Sequence, residues 1–190
     1  MIENVILGIL SLQPLTGYDL KKVFMDSTLL YWSGNNNEIY RTLLALHRRG
    51  LLSCEVQYQE SRPPRKVYAL TEAGETALAE WVKAGAEEPQ LRHSLLARLA
   101  WADALQNDEL DHVLMEAEDD AKNRLLLCQV QQRAAPYLNP QKARTERERQ
   151  LWEGIWDYWL DFYKHEVDWL ARLRAGLKAD QDGKEHTAEG

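Results

Sequence analysis

Two clusters of side chains carry most of the chemistry in this sequence. The first is Asn36, Asn37, Tyr40 and Arg41, at the head of a segment in which Ile39, Leu43 and Leu46 repeat at helical spacing. The second is Arg62, Arg65 and Lys66, gathered around Pro63-Pro64. Near a helix N-terminus, an asparagine amide can pair bidentately with adenine and an arginine guanidinium with guanine, each discriminating by roughly 1–3 kcal/mol. Basic side chains on a hairpin suit phosphate or the minor groove, where charge contacts fix register without reading base sequence. Taken singly, Asn35 to Asn37 is a capping loop, Arg41 a solvated surface residue, and the basic Pro-rich tip a guard against edge pairing. Their order along the chain, polar helix and then basic hairpin, joins them into a duplex-DNA reader.

The elements that must hold these clusters are legible in the apolar spacing. Ile2, Val5, Ile6, Ile9 and Leu10 form one stripe of a short helix that Pro14 stops. Thr16-Gly17-Tyr18-Asp19 resembles a capping box, and Leu20, Val23 and Phe24 give the second helix its buried face. Tyr18 and Lys21 are left to touch a DNA backbone, with core packing as the alternative for Tyr18. The third helix ends at Gly50, suited to a left-handed C-terminal position. Leu51 to Gln59 and Val67 to Leu70 read as two strands, with Ser61 to Lys66 as the turn. Thr71 caps a fourth helix whose apolar positions are Ala73, Ala77, Leu78, Trp81 and Val82. The predicted fold is mainly α with a small β-hairpin wing: a winged helix-turn-helix over 1–84, then a boundary at Gly85 to Pro89.

Beyond that boundary the sequence predicts an α-helical dimerisation domain over 89–177 and no strand. Leu91 to Leu105 is helical by periodicity. Asn107-Asp108-Glu109 caps a second helix, which ends before Pro136, and Asn139-Pro140 opens a long last helix. Lys178 to Gly190 is polar and aperiodic and is expected to be a disordered tail. Trp152, Trp156, Trp159, Phe162, Tyr163 and Trp169 stripe the last helix. Tryptophan offers a large apolar area with one N–H, which suits an oligomer seam or a pocket for an aromatic effector. Such a stripe is more commonly a seam, so a homodimer through this helix is expected, aided by Ile2 to Leu12.

Composition narrows the alternatives. The net charge of the 190 residues is −7, which argues against a protein that coats nucleic acid indiscriminately. Between Ile39 and Leu70, however, six basic residues stand against two acids, a +4 island on an acidic chain. Cys54 and Cys128 are far apart and read as packed thiols. The five histidines lack metal-type spacing, so no cofactor or metal is expected. No nucleophile elbow or phosphate loop occurs, and the acidic pairs read as solvated helix faces, so the chain is not read as an enzyme. With no long apolar run and no basic leader, no membrane association is expected and the location reads as cytoplasmic.

Thr-Gly-Tyr-Asp-Leu (16–20), Ile-Tyr-Arg-Thr-Leu-Leu-Ala-Leu (39–46), Arg-Gly-Leu-Leu (49–52) and Arg-Pro-Pro-Arg-Lys-Val-Tyr-Ala-Leu-Thr-Glu-Ala-Gly (62–74) together resemble the PadR family of bacterial transcriptional regulators. The resemblance covers residues 1 to about 82; the helical remainder is similar only loosely to the family's longer C-terminal form. It implies a winged-helix repressor, homodimeric through its C-terminal helices and often responsive to a small aromatic or drug-like effector. It places Asn37, Tyr40 and Arg41 on the recognition helix and Arg62 to Lys66 on the wing. The chain departs from the common pattern at Asn36-Asn37-Glu38, where many members carry a Ser-x-Gly-Thr type of start; this bears on the operator sequence. The competing expectation is a protein-interaction adaptor that uses the winged helix and the aromatic helix for docking, without DNA.

Overall fold

The computed structural model describes residues 1–27, 36–59, 62–85, 93–135 and 138–188, and the chain divides into two compact units, Met1–Glu88 and Pro89–Gly190.

In the first unit, α1 (Ile2–Leu10), α2 (Gly17–Asp26), α3 (Asn36–Arg48) and α4 (Glu72–Lys83) surround a three-stranded antiparallel sheet. The strands are β1 (Leu15–Thr16), β2 (Leu52–Gln59) and β3 (Arg62–Leu70), in the order β1-β3-β2. The core takes Ile2, Ile6, Leu7, Ile9 and Leu10 from α1, Leu20, Val23 and Phe24 from α2, and Ile39, Leu43 and Leu46 from α3. These are the residues that helical spacing turns inward, with Leu7 added and Val5 only half-buried. α2 begins where Thr16 Oγ1 accepts the Asp19 N–H at 3.1 Å and donates back to the Asp19 carboxylate at 2.7 Å. α3 ends in a left-handed turn at Gly50, φ +75°, where the Leu51 N–H reaches the Leu46 carbonyl at 3.0 Å. Thr71 caps α4 by accepting the Gly74 N–H at 3.1 Å. The apolar face expected of α4 is only partly covered: Val82 is exposed and Trp81 largely so.

The wing differs from its expected form. β3 starts at Arg62, so Arg62 to Lys66 lies within a strand and not in the turn. Two prolines are tolerated there because β1 pairs with β3 only at Val67 and Tyr68, leaving the outer half of β3 with β2 as its single neighbour. The register slips between Gln57 and Gln59, where Pro63 and Pro64 intervene between the partners Arg62 and Arg65.

The second unit contains α5 (Ser94–Leu99), a 3-10 turn at Ala102–Ala104, α6 (Asn107–Ala134), a second 3-10 turn at Pro140–Lys142, and α7 (Glu146–Ala188). No strand occurs among its described residues. α6 and α7 run antiparallel: Arg174 of α7 meets Asp111 near the start of α6, and Trp156 of α7 meets Leu138 beyond its end. Leu114, Ala121 and Leu170 form the core, lined by Leu95, Leu99 and Trp169 among others. α5 is tied to α7 by His93, whose ring bonds Glu166 at 2.9 Å.

Four boundaries differ from expectation, the first being that the helix expected to run to Leu105 ends at Leu99 and is followed by a separate 3-10 turn. Gln106 precedes α6, its N–H held by the Glu109 carboxylate at 2.9 Å. Asn139 caps only the 3-10 turn and closes α6, its amide donating to the Ala135 carbonyl at 3.0 Å, so the last helix begins later, at Glu146. That helix continues to Ala188, across the stretch expected to be a disordered tail. Its composition there is mostly Lys, Ala, Asp, Gln and Glu, several of them good helix formers, and Lys178 is anchored to Asp111 at 3.2 Å. No helix of the described residues is long and apolar enough to cross a membrane.

Candidate nucleic-acid interface

α3 buries Ile39, Leu43 and Leu46, and the same 3.6-residue period therefore turns Asn37, Tyr40, Arg41, Leu44 and Arg48 outward. Thr42 completes the buried side. Arg41 and Arg48 have no ion-pair partner among the described residues. By contrast, the neighbouring Arg49 is neutralised by Glu3 of α1 at 2.6 Å. A short helix face thus keeps two uncompensated guanidinium groups beside an exposed amide, Asn37.

Tyr40 is 44% exposed, and its ring is seated on the first residue of α2. A Cβ at Gly17 would lie 2.5 Å from Tyr40 Cε1 and 3.4 Å from Leu43 Cδ1, so only glycine lets the ring approach this closely. Tyr18 is 68% exposed, which removes the core alternative for it; Lys21 is half-buried on the same helix.

On the wing, successive residues face opposite ways. Lys66 pairs across the ladder with Val56 and shares a face with Tyr68 and Cys54. Arg65 pairs with Gln57 on the other face, where its Nε donates to the Gln57 side-chain oxygen at 3.1 Å. Both cations are exposed, one on each face of the wing. Tyr68 is buried, and burial, followed by Cys54 and with a smaller contribution from Tyr40, raises its phenol above the ordinary range. Tyr58, 84% exposed on β2, also belongs to this wing; alternation in β2 is its only sequence signal. The side chains of Asn36 and Arg62 lie outside what the structure describes.

The six aromatic residues of α7 separate into groups. Trp156, only 1% exposed, and Tyr163 are packed within their own unit, and the Trp156 indole N–H donates to the Leu138 carbonyl at 2.9 Å. Trp169 lines the Leu114–Leu170 core. Trp159 stacks on Tyr163 with centroids 6.0 Å apart and meets Phe162 edge to face. Trp152, Trp159 and Phe162 are half-buried. The outward apolar stripe is instead Leu151, Ile155 and Tyr158, spaced i, i+4, i+7, with exposed Leu126, Leu127 and Val130 on α6. The i, i+4, i+7 spacing of this outer stripe is legible in the sequence beside the tryptophans.

A family model described as transcriptional regulator PadR-like matches residues 6–80. A probable transcriptional regulator of Mycobacterium tuberculosis, Rv1176c, is 32% identical over 81 residues, 43% of either chain. The negative transcriptional regulator PadR of Bacillus subtilis is 29% identical over 82 residues, 43% of this chain and 45% of that one. The matched stretch thus spans less than half the length of these relatives. The crystal structure of Bacillus subtilis PadR in complex with operator DNA has a TM-score of 0.76 at 21% identity, covering 93% of this chain and 98% of that one. The same protein in complex with p-coumaric acid gives 0.68 at 20% identity, with 93% and 98% covered. The virulence activator AphA of Vibrio cholerae gives 0.66 at 25% identity, covering 94% and 99%.

Proposed function

We propose that this chain, whose residues 6–80 match the PadR-like family of transcriptional regulators, binds double-stranded DNA as a homodimer and represses from a pseudo-palindromic operator. The observation that carries this reading is the outward face of α3, where Asn37, Tyr40, Arg41 and Arg48 stand opposite a fully buried apolar face. Asn37 and Arg41 meet base edges in the major groove, while Lys66, Arg65 and Arg62 of the wing, with Tyr18 and Lys21 of α2, hold phosphates. Asn36 contributes from the first turn of α3.

The dimer forms along α7 through Leu151, Ile155 and Tyr158, extended by Trp152 and Phe162. The support is an apolar stripe left uncovered in the single chain, of the kind that marks an association surface. A two-fold dimer sets half-sites about one helical turn apart, or a multiple of it. The half-buried aromatic residues of α7 also support a small planar aromatic acid as effector, and a structural neighbour was solved with p-coumaric acid. Quenching of tryptophan fluorescence by p-coumarate tests this component separately.

The principal test is fluorescence anisotropy with the DNA immediately upstream of the chain's own coding sequence, at several salt concentrations. The affinity should fall steeply with salt as counterions are released. Absence of binding to any genomic fragment, together with a co-purifying partner protein, would favour the adaptor alternative.

A further inference from the structure

We infer that Gly17 is a positioning residue for Tyr40, and that the junction Leu15-Thr16-Gly17 ties the wing to the outward face of α3. The inference deepens the DNA-binding reading above and rests on it. Three elements converge at this junction. Leu15 and Thr16 pair with Tyr68 and Val67 of the wing strand. Thr16 then caps α2 with its side chain. Gly17, buried at the first position of α2, presents bare backbone against which the Tyr40 ring lies. Leu43, the buried residue nearest in space on α3, packs against the same spot. A side chain at position 17 would overlap Tyr40 Cε1 at 2.5 Å and Cδ1 at 3.1 Å, well inside van der Waals contact.

Two consequences follow from the exposures. Tyr40 is nearly half exposed, so its ring can swing outward when displaced, and the core need not open. Its displacement would disturb Arg41 next to it, because both occupy the outward face of α3. Tyr68 of the wing strand pairs with Leu15 at this junction and is buried directly opposite Cys54. The Tyr40 ring therefore rests on the start of α2, and a small residue at 17 sets how far the ring leans toward DNA.

The test is a double-mutant cycle read by anisotropy, using the upstream duplex and a scrambled duplex of equal length. Gly17→Ala is expected to reduce the preference for the upstream duplex roughly tenfold, the scale of one good base contact. In a Tyr40→Ala background, where the added methyl meets no ring, Gly17→Ala is expected to cause no further loss. Retention of the wild-type preference by Gly17→Ala, or losses that simply add, would overturn the inference while leaving the DNA-binding reading in place. A wild-type protein that does not prefer the upstream duplex overturns both. Should Gly17→Ala fail to fold by circular dichroism, folding of the Gly17→Ala/Tyr40→Ala protein supports the inference, and failure of that protein too overturns it.

Discussion

The indole N–H of Trp156 donates to the main-chain carbonyl of Leu138 at 2.9 Å, linking the buried face of α7 to the residue that turns the chain between α6 and α7. Leu138 sits at φ +53°, the left-handed region that a leucine rarely occupies. Asn139 follows it, closing α6 and capping the next turn. Trp156 is thus both core filler and the clasp on a strained turn.

Replacing Trp156 with Phe keeps most of the volume and leaves the Leu138 carbonyl without its indole donor. A loss of about 1–2 kcal/mol is expected, against about 3–5 kcal/mol for Trp156→Ala, which also opens a cavity. Urea unfolding followed by far-UV circular dichroism measures both, and a Trp156→Phe protein as stable as the wild type would show that the hydrogen bond contributes nothing.

Acid should loosen the α6–α7 pair. The Glu118 carboxyl is held below its usual range, first by Lys122 and then by Arg174, while its burial opposes the shift. Lys122 lies at 2.7 Å and Arg174 at 2.8 Å. A carboxylate whose folded pKa is depressed contributes stability that is fully present above its unfolded value, near 4.5, and is lost as the pH falls through the folded one. Asp111, lowered first by Arg174 and then by Lys178, acts in the same direction. Glu118→Gln should cost about 1–3 kcal/mol at neutral pH, and its stability should fall less than the wild type's below about pH 4.5. Unfolding curves at stepped pH decide it, and parallel declines would contradict the assignment.

Ile155→Glu places a charge in the middle of the Leu151–Tyr158 stripe, which the single chain leaves uncovered. The wild type should sediment at twice the chain mass at micromolar concentration and the variant at the chain mass, with unchanged helix content. A monomeric wild type would remove the dimer from the proposed function.

Arg41→Ala and Lys66→Ala should separate reading from gripping. Arg41→Ala is expected to relax base preference by roughly 1–3 kcal/mol. Lys66→Ala should weaken binding to all duplexes alike and flatten the salt dependence by about one counterion. Anisotropy against matched and scrambled duplexes at several salt concentrations distinguishes them; identical behaviour of the two variants would count against the division of roles.

Thr16→Ala removes the side chain that caps α2. A loss of about 1 kcal/mol is expected, within the range of about 0.5–2 kcal/mol seen for such caps. Thermal melting reads it directly.

The sequence by itself determined most of the buried faces of α1, α2 and α3, the caps that start α2 and α4, and the turn that ends α3. Ile39, Leu43 and Leu46 are buried as their spacing requires, Thr16 and Thr71 cap as their side chains allow, and Gly50 adopts the backbone angle other residues avoid. These are local matters of period and hydrogen bonding, written within a few residues. The tertiary structure alone decided matters that depend on residues distant in sequence. Pro63 and Pro64 could join a strand because β1 is too short to demand their missing N–H groups, and Arg65 and Lys66 were then sent to opposite faces. Trp156 and Tyr163 are buried by packing within the second unit, leaving Leu151, Ile155 and Tyr158 as the open stripe. Gly17, unremarkable as a sequence letter, gained its meaning from a tyrosine on another helix: which backbone a ring rests against is set by packing, and no periodicity encodes it.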